Sequence, residues 1–146
     1  MKTKKIGLAL VVMLFTTLAF SQNYSPKLLV KYTESEVESL KQDNLQEFEL
    51  INYFVTEGYN IIDMPDKPID YVELKKIDPK TGDIMEGEFI TDADLDNFNP
   101  LEYNCTPDAM KRGYYKAGNT GKLIIVPTRP ALKNRIENKK RINNNK

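Results

Sequence analysis

The chain has 146 residues, with 21 Lys+Arg, 21 Asp+Glu, one cysteine and neither histidine nor tryptophan. Without histidine, the chain cannot build a Ser-His-Asp or Cys-His catalytic site, an imidazole base or a histidine-containing zinc site. A single cysteine excludes an internal disulfide. The length, together with 40% hydrophobic and 29% charged residues, is typical of one globular domain.

Residues 1–21 have the pattern of a signal peptide. Three lysines precede an apolar run of about 15 residues, which is shorter than the roughly 20 that a membrane span needs. Small side chains at Ala19 and Ser21 predict cleavage before Gln22. We therefore expect an exported protein, periplasmic or extracellular, with no transmembrane segment after cleavage. The alternative is an uncleaved N-terminal anchor.

The end of this leader, Phe20-Ser21-Gln22, resembles the leaders of exported proteins from the Bacteroidota. The resemblance covers the signal peptide only. It implies export and does not imply a function.

Charge is distributed unevenly along the rest of the chain. Without residues 1–21, 18 basic and 21 acidic side chains remain, a net charge of −3. Residues 133–146 hold six basic side chains and one acidic, a net +5, which leaves −8 on residues 22–132. The predicted organisation is a signal peptide (1–21), a single globular domain (22–132) and a basic helical tail (133–146).

The first predicted element after the leader is an edge strand or extended arm at residues 28–32. Thr33 and Glu36 then form the pattern of a capping box, which marks a helix start. Apolar residues recur at helical spacing from here to Gly58, where a left-handed C-cap is expected. The pattern predicts one long amphipathic helix.

The middle of the chain predicts strands at 59–64 and 69–77, a turn at 78–82 and a returning antiparallel strand at 83–91. Short helices are expected from Thr91 and Thr106, and a final hairpin is expected at 114–116 and 122–126. Pro130 is expected to open a C-terminal helix. The predicted class is α+β: an antiparallel sheet of about five strands packed against the long N-terminal helix, with short helices and a C-terminal helix.

Alternating acids suggest a cation site. Asp92, Asp94 and Asp96 have the spacing of the first half of a calcium loop. The second half departs from that pattern, because Asn97 stands where the turn glycine belongs. The alternative is that these acids cap and stabilise a short helix.

Two further groups are candidates for a binding surface. Tyr114 and Tyr115 suit contacts with protein or sugar, although on a strand they must point to opposite faces and only one can be core. Lys139, Lys140 and Arg141 could bind anionic groups, or form the solvated end of a helix.

Cys105 is either a buried filler or a reactive thiol. For the whole protein we predict a small, exported, non-catalytic binding or interaction module with a protein or envelope partner. The alternatives are a calcium-binding protein using residues 92–99 and a small carboxylate-based hydrolase. No other cofactor and no nucleic-acid partner are expected.

Overall fold

A computed structural model describes residues 23–145, and the predicted signal peptide lies outside them. Within this range the fold is α+β, with four α-helices and one four-stranded sheet. The helices are α1 (Glu34–Asp43), α2 (Leu45–Glu57), α3 (Asp92–Asp96) and α4 (Arg129–Asn144), and the strands are β1 (Asn60–Asp63), β2 (Val72–Glu73), β3 (Gly113–Lys116) and β4 (Lys122–Val126). Two 3-10 helices, Pro26–Val30 and Pro100–Glu102, complete the elements.

The predicted long N-terminal helix is wrong, because it breaks at Asn44. The backbone of Asn44 is not helical (φ −147°, ψ 73°), and its side chain accepts a hydrogen bond from the Glu47 N–H at 3.2 Å. Asn44 thereby ends α1 and caps α2, a role that asparagine performs well. The capping box of Thr33 and Glu36 is present at the start of α1.

Gly58 ends α2 without the predicted left-handed conformation, since its φ is −81°. A Cβ at this position would lie 2.4 Å from the Cα of Phe54. Glycine is needed here because of close packing, not because of its backbone conformation.

The predicted sheet of about five strands is also wrong, since the described residues form four. Residues 28–30 belong instead to the first 3-10 helix, which Ser25 caps, and residues 31–32 follow its end. The expected hairpin of 69–77 and 83–91 pairs at a single bridge, Ile77 with Ile84. Residues 73–75 are unavailable for that hairpin because their backbone bonds go to Lys116 and Asn104.

The sheet has the strand order β1-β4-β3-β2. β4 pairs antiparallel with β1 and with β3, which confirms the predicted final hairpin, and β2 pairs parallel with β3. The expected helix from Thr106 is absent. In its place Asp108 accepts hydrogen bonds from the N–H groups of Met110 and Lys111, at 2.7 and 3.0 Å, and closes a turn.

One face of the sheet packs against the helices. Its row contains Ile61, Ile124 and Tyr115, which lie opposite one another across three strands. Helices α2 and α4 cover this face with buried side chains, which include Leu50 and Leu132. A second apolar cluster joins α1 and the first 3-10 helix to α2: Tyr24, Leu28, Val37, Phe48 and Val55.

The other face carries the row Ile62, Leu123 and Lys116. Residues 64–71 connect β1 and β2, which are the two edge strands, so this segment has to cross the sheet. The segment and Lys116 line one shallow depression. It therefore crosses on the face opposite the helices.

Candidate functional site

A groove of about 670 Å³ lies where β2 and β3 begin. Its walls are residues 69–72 and 111–115, and Thr106 and Asp108 complete the lining. We call it the tyrosine groove, because Tyr71, Tyr114 and Tyr115 all line it.

The parallel pairing of β2 with β3 creates the groove. Val72 lies opposite Tyr115 and Glu73 lies opposite Lys116, and before Val72 no further pairs form. Residues 69–71 and 111–112 therefore flank an opening. Parallel pairing between segments more than 40 residues apart brings together side chains that the sequence does not show as neighbours.

Tyr115 forms the inner wall of the groove. Its ring packs against the core, and its hydroxyl lies near the backbone N–H of Thr106. Burial is the main reason that the pKa of Tyr115 is raised. The ring leans over Gly113, where a Cβ would lie only 2.5 Å from Tyr115 Cε2. Gly113 therefore provides the space that this ring fills.

The outer wall of the groove is exposed and partly apolar. Tyr71 keeps 45% of its surface exposed and Val72 keeps 57%. The ammonium group of Lys116 lies 5.4 Å from the centroid of the Tyr71 ring and 3.6 Å from the Glu73 carboxylate. Tyr114, which belongs to the opposite face of the sheet from Tyr115, is half-buried.

Two exposed cations that line the groove form no salt bridge with any described residue. Among residues 23–145, no carboxylate lies within ion-pair distance of Lys111 or Arg112, and both side chains are exposed. Six other cations do have such partners: Lys76, Lys116, Lys122, Arg129, Lys139 and Lys140.

Two acids also line the groove. Asp108 accepts two backbone hydrogen bonds, which lower the pKa of its carboxyl group, while Asp70 is exposed at the rim. The groove thus combines aromatic surface with charges of both signs.

Of the predicted binding residues, Tyr114 and Tyr115 line this groove, and the basic residues of the tail do not. Lys139 pairs with Glu57, and Lys140 donates to Glu49 at 2.7 Å, so both side chains lie against α2. Arg141 is exposed on α4 beyond them.

The prediction from sequence did not assign Tyr71, Val72, Lys111 or Arg112 to the site. The available signal was an aromatic residue at the start of a strand and two adjacent cations before the glycine of another strand. Neither signal indicates that the two segments are close in space.

The three aspartates of the predicted cation site lie on the five-residue helix α3. Asp94 caps this helix, accepting from the N–H and the hydroxyl of Thr91 at 2.8 and 2.7 Å, and it also pairs with Lys76 at 3.1 Å. The bonds from Thr91 are the main reason that the pKa of Asp94 is lowered.

Within residues 23–145 no group of three or more acidic or cysteine side chains is placed to hold a metal ion. Asp92, Asp94 and Asp96 therefore remain a prediction to be tested by calcium titration, and the geometry adds no support.

Cys105 is fully buried. Its Sγ lies 3.7 Å from the carbonyl oxygen of Pro100, and burial raises the pKa of its thiol to about 12. A thiol with these properties is a packing residue, because a nucleophile needs exposure and a low pKa.

Four carboxyl groups among residues 23–145 have a lowered pKa. Hydrogen bonds are the largest cause of the lowered pKa at Glu36, Asp63, Asp94 and Asp108. A carboxylic acid that protonates a leaving group needs a raised pKa.

Comparison of the chain with protein-family models, with curated proteins and with solved structures gives no match. Across residues 23–145, the helices are too short or too polar to cross a membrane.

Proposed function

We propose that this protein is a non-catalytic, exported binding module, and that its partner occupies the tyrosine groove. The observation that carries the proposal is the combination of exposed Tyr71 and Val72 with two exposed cations, Lys111 and Arg112, around one opening. Tyrosine and arginine are the residues that most often dominate binding energy at protein interfaces. The partner is an extended segment of a protein or another envelope component.

The groove is suited to binding and not to hydrolysis. It is open, so a bound segment could lie along it with its ends in solvent. Its acids, Asp70 and Asp108, are both exposed, and Asp108 is held ionised by backbone hydrogen bonds.

Affinity capture with paired variants tests the proposal. The bait is the exported protein, and the source is an envelope and culture-fluid extract of the organism that makes it. The groove variant combines Tyr71→Ala with Arg112→Ala. The matched control combines Phe89→Ala with Arg135→Ala, which removes another exposed aromatic ring and another exposed arginine away from the groove.

We expect the wild type and the control to retain the same partner at high salt, and the groove variant to lose about tenfold or more of it. Equal retention by both variants would contradict the assignment of the groove. If the wild type retains no partner, the proposal that this protein is a binding module is wrong. Capture with and without calcium tests the alternative role of residues 92–99.

A further inference from the structure

The two edges of the sheet are protected differently. At the β2 edge, the carboxamide of Asn104 bonds to the backbone as a neighbouring strand would. Its Nδ2 donates to the Glu73 carbonyl at 3.0 Å, its Oδ1 accepts from the Lys75 N–H at 2.8 Å, and its own N–H donates to the Lys75 carbonyl at 3.0 Å. Asn104 thus closes the β2 edge.

At the β1 edge, the backbone N–H and C=O groups of alternate residues face away from the sheet. The pattern of backbone hydrogen bonds between β1 and β4 shows which residues these are. The Met64 N–H donates to the Gly121 carbonyl at 2.8 Å, so the backbone polar groups of Met64 face the β4 side of the strand. In an antiparallel ladder every second residue forms backbone hydrogen bonds with the neighbouring strand. The backbone N–H and C=O groups of Ile62 therefore also face β4. The N–H and C=O groups of Ile61 and Asp63 therefore point away from the sheet.

The other side of β4 agrees with this alternation. The Ala117 N–H donates to the Lys122 carbonyl at 3.0 Å, so the backbone groups of Lys122 face β3 and are unavailable to Asp63. No described residue supplies a hydrogen bond to Ile61 or Asp63 from the outer side.

The usual protection of an edge strand by charge is also weak here. Proteins commonly place an unpaired charge on an edge to prevent pairing with another strand. The charged residue of β1, Asp63, forms a salt bridge with Lys122 at 2.6 Å. The adjacent Ile62 keeps 39% of its surface exposed.

We propose that two copies of this chain pair antiparallel through their β1 edges, with Ile62 facing Ile62 of the second copy. In this register Ile61 of each copy lies opposite Asp63 of the other. These are the residues whose backbone groups point outward, so the two pairs exchange about four hydrogen bonds. The four-stranded sheet becomes continuous with its copy.

Side-chain chemistry favours a second copy as the occupant. Leu123 and Ile62 share one row of the sheet, so the two-fold axis extends that row into Leu123, Ile62, Ile62 and Leu123. Asp63 meets the apolar Ile61 and keeps its own Lys122. No like charges lie directly opposite each other, an arrangement that would destabilise pairing.

Disulfide trapping tests the register directly. Facing Ile62 residues form a non-hydrogen-bonded pair, whose Cα atoms are about 4.5 Å apart, within the range that a disulfide spans. The variant Ile62→Cys, purified from cells that express the full chain, is oxidised mildly and analysed on a non-reducing gel. Ile84→Cys is the matched control, since Ile84 is 49% exposed and forms an isolated bridge with Ile77 outside the four strands of the sheet. Cys105 is buried and stays in place.

We expect Ile62→Cys to form a covalent dimer about tenfold faster than Ile84→Cys, and the wild type to sediment as a dimer. Ile62→Lys places like charges at the axis, so it should weaken association about tenfold or more while Ile84→Lys does not. Equal cross-linking of both cysteine variants, or a wild type that stays monomeric at about 100 μM, overturns the proposal. If Ile62→Lys abolishes capture of a different protein while the wild type is monomeric, the edge belongs to that protein and the second copy is wrong.

Discussion

Replacing Gly113 by alanine tests the geometry on which the tyrosine groove depends. The new Cβ would lie 2.5 Å from Cε2 and 3.0 Å from the hydroxyl oxygen of Tyr115. Ordinary contacts begin near 3.4 Å, so the ring has to move by about 1 Å. Tyr115 resists this movement because its ring packs against the core.

The magnitude follows from two effects. Overpacking at a site of this kind costs about 1 to 3 kcal/mol, of which a strained tyrosine rotamer accounts for about 0.5 to 1.5 kcal/mol. Alanine also restricts the unfolded chain, which stabilises the protein by about 0.4 to 1 kcal/mol. Gly113→Ala should therefore lower the free energy of unfolding by about 1 to 2 kcal/mol.

The assay is urea unfolding followed by tyrosine fluorescence, which is usable because the chain has no tryptophan. The decisive comparison repeats Gly113→Ala in a Tyr115→Leu background, where the obstructing ring is absent. There the alanine should be neutral, or stabilising by up to about 1 kcal/mol. An equal loss of stability in both backgrounds would refute the steric explanation.

Three other predictions concern stability and reactivity. Asn104→Ala should lower the free energy of unfolding by about 1 kcal/mol, because its side chain loses the hydrogen bonds to Glu73 of β2 and to Lys75 just after it. Asn119→Ala in an exposed turn should change the free energy of unfolding by no more than about 0.5 kcal/mol in the same urea assay. Because the pKa of Asp94 is lowered on folding, this carboxylate stabilises the protein above its ordinary pKa of 3.8, and the stabilisation is lost as the pH falls through the folded value. Asp94→Asn should therefore be less stable than the wild type at pH 7. Between pH 5 and pH 2 the variant should lose less stability than the wild type, and urea unfolding curves of both proteins at these pH values test this. Cys105 should react with a thiol reagent at pH 8 about a thousandfold more slowly in the native protein than in denaturant, since a pKa of about 12 leaves very little thiolate; fast native labelling would show that the site opens.

The elements that the sequence predicts correctly are those with strong local signals. The capping boxes at Thr33 and Thr91 are both present, and the hairpin of β3 and β4 forms around residues 117–121. The apolar pattern from Thr33 to Gly58 predicts one continuous helix because the same apolar face continues past Asn44. An asparagine in the middle of a helical pattern can either be tolerated inside the helix or cap the start of a new one. Tertiary packing decides which of the two occurs.

The errors in the sheet have a different cause. Residues 69–77 have the composition of a full strand, yet their partners come from Lys116 and Asn104 and not from the adjacent segment 83–91. Local patterns do not specify such non-local pairing. The candidate site follows the same division, since the adjacent pair Tyr114 and Tyr115 was identified, whereas Tyr71 and Arg112 reach the groove only through parallel pairing.

The position of β4 at the centre of the sheet determines the order in which this chain can fold. β1 bonds to β4 across about 60 residues, so loop closure makes the pairing slow compared with helix formation. As the chain emerges from its N-terminus, α1 and α2 can pack together early. The sheet has to wait for residues 122–126, because β1 has no partner in the described chain until they arrive. Until residues 122–126 have been synthesised, the helices and local turns can form, but β1 cannot join the sheet.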